Sequence, residues 1–127
     1  MTKADDIESI RRLLADYCLV CDECRYDEFA RLFGEDGVMY AFRREWSGHD
    51  TLVEFLKNAP EGVHLNTAVR IDLDGDRADV MSNFVFYTHD KQVGSMGIYE
   101  DVVVRDGDGW RFARRAIRIA KPSSPAE

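Results

Sequence analysis

The chain has 127 residues, 45% of them hydrophobic and 32% charged, which is the size and balance of one globular domain. Its formal net charge of −7 argues against nucleic acid as a partner, because binding to the phosphate backbone depends on Lys and Arg. No apolar run approaches the roughly 20 residues of a membrane-spanning helix, and no export signal is visible, so we expect a cytoplasmic protein without a membrane partner. We expect a single domain over residues 1–121 and a flexible C-terminal tail over residues 122–127.

Three helices are predicted in the first half of the chain. Apolar residues recur at spacings of three and four over residues 4–21, which is typical of a helix with one buried face. A second, shorter helix is predicted over residues 26–33. A third is predicted over residues 50–58, with Asp50 as its cap and Pro60 shortly after its end.

The three cysteines lie at the end of the first helix, spaced as Cys18-x-x-Cys21-x-x-Cys24. This spacing is similar to part of a metal or iron–sulfur site, but a fourth ligand is missing and no His is near. We interpret Cys18 and Cys21 as small apolar residues of the buried helix face. No other spacing of His, Asp or Glu indicates a metal site, and no glycine-rich phosphate loop is present, so we expect no metal and no cofactor.

The second half of the chain has the pattern of an antiparallel meander. Asp74-Gly75-Asp76 and Asp106-Gly107-Asp108-Gly109 are hairpin signals between apolar segments. Strands are predicted over residues 63–73, 77–88, 93–105 and 110–120, with an earlier short pair over 38–42 and 45–48 at the sheet edge. Helices followed by a meander predict an α+β fold, in which the helices pack on a curved antiparallel sheet and enclose a mostly apolar pocket.

The strand over residues 77–88 is apolar on both of its faces. Val80 and Phe84 lie on one parity, and Met81 and Val85 lie on the other. Three helices are too few to cover both faces of four long strands. We therefore expect the uncovered face to be an interface in a homo-oligomer, with a dimer as the default and a trimer as the alternative.

Ordered motifs extend over nearly the whole chain. They are Ile7-x-x-Ile10…Leu14-x-x-Tyr17, Cys21-Asp22-x-x-Arg25-x-Asp27-x-Phe29-x-x-Leu32-Phe33, Asp36-Gly37-Val38, Gly48, His64, Ile71-Asp72-Leu73-Asp74-Gly75-Asp76-x-Ala78, Tyr99-x-Asp101 and Gly109-Trp110-Arg111-Phe112-x-x-Arg115. This set resembles the SnoaL-like branch of the nuclear transport factor 2-like (NTF2-like) superfamily. The resemblance implies a cone-like fold, with N-terminal helices on a strongly curved antiparallel sheet around a pocket. It does not imply one reaction, because the superfamily includes dehydratases, isomerases, cyclases, epoxide hydrolases and proteins without catalysis.

His64 and Asp22 are the first candidates for catalysis. An imidazole is the natural proton acceptor at neutral pH, and a carboxylate on its second nitrogen fixes the tautomer and stabilises the imidazolium. The pairing resembles the Asp–His dyads of cofactor-free members, including bile-acid dehydratases and a hexachlorocyclohexane dehydrochlorinase. Tyr17 is the third candidate, because it precedes Asp22 by five residues as a tyrosine does in the dehydratase pattern. That pattern also has an acidic partner for the histidine in the next strand, and around Val85 and Phe86 this chain has none.

Each of the three candidates also has a structural interpretation. Asp22 is placed where a helix ends, so it could be a capping or turn residue. His64 could be a histidine satisfied inside the core or at a strand end, and Tyr17 could be an amphipathic core residue.

The alternation of the strand over residues 63–73 bears on the direction of His64. Val69 and Ile71 place the apolar face on odd positions, whereas His64 is on an even one. This alternation counts against the catalytic interpretation, although a β-bulge near Asn66-Thr67 would turn the ring towards the apolar side.

Further residues are candidates for binding a ligand. We expect Tyr40 and Trp46 at the rim of the pocket, and Asn83 and Tyr87 as hydrogen-bonding groups from the sheet.

Arg115 and Asp101 are placed at similar depth on adjacent strands. This placement favours a structural ion pair across the sheet. The alternative is that Arg115 anchors an anionic group of the ligand.

Together these residues favour a cofactor-independent lyase or isomerase of the dehydratase type. His64 would remove a proton from a small hydrophobic cyclic substrate, with Asp22 orienting the ring. The alternative is a binding or accessory protein of the same fold that carries a hydrophobic molecule without catalysis.

Overall fold

The computed structural model describes residues 2–120, and within that range the chain forms three helices and six strands. The helices are α1 (Lys3–Asp22), α2 (Tyr26–Arg31) and α3 (His49–Asn58). The strands are β1 (Phe33–Ala41), β2 (Arg44–Ser47), β3 (Gly62–Asp74), β4 (Arg77–Thr88), β5 (Val93–Asp106) and β6 (Gly109–Ile119). The tail expected over residues 122–127 lies outside the described residues.

The strands form one curled sheet in the order β2-β1-β6-β5-β4-β3, and the helices pack on one of its faces. The predicted α+β fold is therefore confirmed. The sheet is mixed rather than purely antiparallel, because β1 and β6 run parallel to each other. Antiparallel neighbours can be joined by a tight hairpin, whereas β1 and β6 meet only after the chain has passed through the rest of the sheet.

The two predicted hairpin turns are present between β3 and β4 and between β5 and β6. Gly75 and Gly107 have φ values of 62° and 63°, a left-handed conformation that favours glycine in tight turns.

Two helix boundaries differ from those expected. Phe33 was expected to be the last residue of α2, but it begins β1 and pairs in parallel with Phe112. The helix α2 is therefore shorter than predicted. Asp50 does not cap α3, because the helix begins one residue earlier, and its cap position is Gly48 with a φ of 85°.

The core lies between the helices and the concave face of the sheet. Tyr17 of α1 is at its centre, with ring centroids of Phe29, Tyr99 and Phe112 at 5.4, 5.6 and 5.9 Å. These tilted and edge-on arrangements are the favourable ones for aromatic pairs. None of the helices within residues 2–120 has the length and apolar character needed to cross a bilayer.

A buried carboxylate, that of Asp6, links the start of α1 to the end of the sheet that carries the β5–β6 turn. Asp6 accepts hydrogen bonds from Nη2 of Arg105 at 2.8 Å and from Nε1 of Trp110 at 3.3 Å. The hydrogen bond from Arg105 is the main reason why the pKa of Asp6 is lowered. This link connects the first turn of the helix to β5 and β6.

Candidate functional site

A largely apolar cavity of about 90 Å³ lies between α1, α3 and the sheet. Most of its lining is aromatic or aliphatic and includes Phe55, Phe84 and Phe86. Its polar groups include the side chains of His64 and Tyr17. A mostly apolar concavity with a few convergent polar groups is the usual form of a small-molecule site.

The predicted pair of Asp22 and His64 is formed at the edge of this cavity. Nδ1 of His64 lies 2.7 Å from Oδ1 of Asp22, and the backbone N–H of His64 donates to both carboxylate oxygens at 3.0 and 3.1 Å. The two side chains are only 18% and 17% exposed, so little water competes for these bonds. A carboxylate that accepts at Nδ1 favours the tautomer in which Nδ1 carries the proton, and this leaves Nε2 free to accept one.

A bulge in β3, at the position where one would re-aim the ring, turns His64 towards the cavity. Asn66 pairs with Phe84 and Val69 pairs with Ser82, so β3 has one residue more than β4 between these pairs. Beyond the bulge the half-buried positions are odd, and before it the inward positions are even and include His64. The ring of His64 therefore packs against Phe86, with centroids 4.7 Å apart.

Tyr17 also lines the cavity, and its ring centroid is 6.3 Å from that of His64. Its hydroxyl donates to the Met39 thioether at 3.9 Å, and sulfur is a weak acceptor. Burial raises the pKa of Tyr17 well above its ordinary value, so the phenol remains a hydrogen-bond donor at neutral pH. Tyr99, also in the lining, is a second buried phenol whose pKa is raised by burial.

Arg115 lies behind these two tyrosines rather than in the cavity wall. It is fully buried and makes a bidentate pair with Asp101, with both N–O distances at 2.8 Å. Its Cζ lies 4.2 Å from the ring centroid of Tyr17 and 3.8 Å from that of Tyr99. Burial opposes the charge, but the Asp101 carboxylate keeps the pKa of Arg115 above its ordinary value. The geometry is that of an ion pair across the sheet.

A bulge also determines the direction of Arg115. Val103 pairs with Phe112 and Val102 pairs with Arg114, so Ala113 is an extra residue in β6. The inward parity of β6 changes there, and Arg115 faces the core as a result.

None of the five expected binding residues is part of the cavity lining, so this expectation is corrected for Arg115 and for the four residues described next. Asn83 and Tyr87 are exposed on the convex face, because Phe84 and Phe86 occupy the inward positions of β4. Tyr40 is outward on β1, with Cζ of Arg114 4.7 Å from its ring centroid.

Trp46, the fourth of these residues, is not part of the lining but supports it from behind. Its ring centroid is 4.9 Å from that of Phe55, and its Nε1 donates to the carbonyl of Ala41 at 3.1 Å. It therefore holds the β1–β2 hairpin against α3.

Residues that the sequence reasoning did not select form much of the wall. Phe84, Phe86 and Tyr99 line the cavity from the sheet, and Phe42 and Phe55 line it from the hairpin and α3. His64 and Phe86 are paired across β3 and β4, so their side chains lie on the same face of the sheet. With His64 assigned to the cavity, this pairing places Phe86 and Phe84 on the cavity side of β4.

Cys21 lines the cavity beside Tyr17, and Cys18 is buried in the same helix face. Burial raises the pKa of Cys18 to about 11 and that of Cys21 further, so both are neutral thiols at neutral pH. No group of three or more potential metal-ligating side chains occurs within residues 2–120.

Comparison with known proteins agrees with this architecture. The model of the SnoaL-like domain family matches residues 2–116. The uncharacterized protein Rv2910c of Mycobacterium tuberculosis is 33% identical over 131 aligned residues, covering 91% of this chain and 86% of the relative.

Two solved structures from Novosphingobium aromaticivorans show the same fold. An NTF2-like protein with a cystatin-like fold has a TM-score of 0.85 at 19% identity, over 97% of this chain and 87% of that one. A candidate scytalone dehydratase has a TM-score of 0.79 at 26% identity, over 93% of this chain and 86% of that one. The sequence match leads to one conclusion: the chain belongs to the SnoaL-like domain family, and it shares the fold of the NTF2-like protein.

Proposed function

We propose that the protein is a cofactor-independent lyase or isomerase of the dehydratase type that acts on a small hydrophobic cyclic substrate. The observation that carries the proposal is the 2.7 Å contact between Nδ1 of His64 and Oδ1 of Asp22 at the wall of an apolar cavity. The similarity to a candidate scytalone dehydratase at 26% identity supports the choice of reaction class.

In this proposal Nε2 of His64 is the general base. It takes a proton from a carbon next to a carbonyl, and the C–H electron pair forms a C=C bond as the bond from the next carbon to its hydroxyl breaks. The imidazolium then gives the proton to the departing hydroxide, so water leaves and His64 is again neutral. Asp22 holds the ring and stabilises the imidazolium between these two proton transfers.

Tyr17 is the proposed donor to the oxygen on which negative charge develops. Among the residues that the structure describes, its hydroxyl is paired only with the Met39 thioether, so a substrate oxygen offers it a stronger acceptor. A general base and one such donor each contribute about 10²–10⁴ in rate, which suits an elimination that starts from an acidified C–H bond.

The test compares turnover by the wild type and by His64→Ala on hydroxylated steroids, polyketide-like phenols and chlorinated cyclic compounds. His49→Ala is a matched control, because His49 also pairs with an aspartate, Asp27, at 2.9 Å but is 45% exposed at the surface. We expect His64→Ala to lose about 10²–10⁴ in rate and His49→Ala to lose none. Equal turnover by wild type and His64→Ala would contradict the proposal.

A binding or accessory role is the second candidate, and the strongly apolar lining of the cavity favours it. Such a protein would bind members of the same panel without converting them. Binding that persists in His64→Ala, with no turnover by the wild type, distinguishes this candidate from the enzyme.

We also propose that the protein is a homo-oligomer that uses the convex face of the sheet. Leu65, Val85 and Met96 are cross-strand neighbours on this face, and Leu65 and Met96 are 45% and 52% exposed. Contiguous exposed apolar residues on a sheet are typical of an interaction surface. A second copy would cover them.

A further inference from the structure

The tip of the β1–β2 hairpin has residues that its backbone conformation disfavours. Ala41 pairs with Arg44, so the turn consists of Phe42 and Arg43, whose φ values are 53° and 64°. Two consecutive residues with positive φ are a feature of the type I′ turn, where Asn-Gly is the preferred sequence. A side chain with a Cβ is unfavourable in this region, and Phe42 has no local hydrogen-bonding group to compensate for it.

Packing in the core does not explain Phe42 either. The side chain is 69% exposed, yet it belongs to the lining of the cavity, and its ring is stacked near Phe55 with centroids 6.0 Å apart and planes at 28°. Strained conformations that persist in proteins cluster at ligand-binding sites. A large apolar ring at the mouth of an apolar cavity is therefore best explained by contact with a ligand.

The size of the cavity places a cyclic ligand against this ring. The cavity has a volume of about 90 Å³ and is open to the surface on one side. An apolar protein cavity of about 150 Å³ is known to hold benzene, so a ligand with one or more rings is larger than this cavity and extends out of it. The part that extends outwards lies on the exposed side of the cavity, where the lining includes Phe42.

We propose that Phe42 is a specificity-determining residue that stacks on the ring system of a flat, apolar cyclic ligand while the inner end of the ligand reaches His64. This inference rests on the proposed function, because it assigns the ligand class of the same cavity. It makes Phe42, but not Arg43, part of the binding site.

The test is fluorescence titration with 2-naphthol, a neutral bicyclic probe, combined with thermal unfolding. Phe42→Asn removes the ring and places at the turn a residue that tolerates positive φ, so we expect Kd to rise about 3- to 10-fold without a fall in Tm. Arg43→Gly is the matched control, because Arg43 has the same backbone conformation but is not part of the lining. We expect it to raise Tm by about 2–4 °C and to leave Kd unchanged.

Three outcomes overturn the inference. An unchanged Kd in Phe42→Asn shows that the ring does not contact the ligand, and the proposed function is unaffected. An equal rise of Kd in Phe42→Asn and Arg43→Gly assigns the effect to the turn backbone. A wild type that does not bind 2-naphthol overturns the inference together with the apolar ligand class of the proposed function. A rise of Kd in Phe42→Asn alone supports Phe42 as a ligand contact. Absence of turnover in the comparison with His64→Ala contradicts the catalytic proposal and leaves that contact standing, so the two failures are distinguishable.

Discussion

Asp22→Asn is the substitution that tests the site without knowledge of the substrate. In the wild type the carboxylate accepts from Nδ1 of His64 at 2.7 Å and from the backbone N–H of the same residue. Both donors reach the same oxygen, Oδ1, and the backbone N–H also reaches Oδ2. An amide is uncharged and has an NH₂ group in place of one oxygen, so either this group faces the backbone N–H or it faces Nδ1, where it favours an unprotonated nitrogen. The variant no longer enforces a proton on Nδ1, and the tautomer with the proton on Nε2 gains population.

The magnitude follows from the chemistry of the lost bond. A hydrogen bond to a charged group contributes about 1.5–3 kcal/mol, against about 0.5–1.5 kcal/mol for a neutral one, so the preference for the Nδ1–H tautomer falls by about 1–2 kcal/mol. This corresponds to a shift of about 5- to 30-fold in the tautomer ratio. The folded state loses a comparable amount, which for a chain of 127 residues lowers Tm by about 4–8 °C.

Long-range ¹H–¹⁵N correlation spectra of the histidine rings measure this ratio directly. The chain has three histidines, so the His64 signals are identified by their loss in His64→Ala. We expect a bare Nε2 in the wild type and a partly protonated one in Asp22→Asn. A wild-type ring with its proton on Nε2, or an unchanged ring in Asp22→Asn, would refute the assignment of His64 as a base oriented by Asp22.

Three further predictions concern the Arg115–Asp101 ion pair behind the site, the convex face of the sheet and the carboxylate of Asp6. Arg115→Met leaves Asp101 charged and unpaired in the interior, so urea unfolding should show a loss of about 3–5 kcal/mol, and adding Asp101→Leu should restore much of it; a double variant no more stable than the single one contradicts this. Met96→Glu should convert an oligomer to a single chain in light scattering, and a wild type that is already one chain would disprove the proposed interface. Because the hydrogen bond from Arg105 lowers the pKa of Asp6 below 3.8, its stabilisation is present above that pH and is lost as pH falls further. The Tm of Asp6→Asn should therefore lie below that of the wild type at pH 7, and the difference should shrink on acidification; a constant difference contradicts the assignment.

Local signals in the sequence predicted most of the fold. The helical spacing of apolar residues located α1, and the turns at Gly75 and Gly107 located two hairpins, because these features depend on neighbours in the chain. The parallel pairing of Phe33 with Phe112 joins residues far apart in sequence, and no local pattern indicates it. Because of this pairing, Phe33 begins a strand, whereas we expected the end of a helix at this residue.

The chemical properties of the side chains predicted the site residues better than the alternation of residues along a strand did. Asp22 and His64 were chosen for what a carboxylate and an imidazole do together, and they are in contact. Asn83 and Tyr87 were chosen as polar residues of a strand that is apolar on both faces, and there the alternation carries no information about which face is inside. The apolar convex face, which we attribute to an interface, is the physical source of that error.

Two irregularities in the sheet explain how polar groups reach an apolar interior. If β3 alternated regularly from Val69 back to His64, the inward position of Val69 would direct His64 to the convex face. If β6 alternated regularly through Ala113, the inward position of Phe112 would do the same to Arg115. A bulge locally disrupts the hydrogen-bonded ladder between strands, so neither bulge improves the coverage of the core by the sheet. One bulge delivers the proposed base to the cavity, and the other delivers the cation that lies behind Tyr17. The irregular positions of these strands are therefore the ones most closely connected with the site.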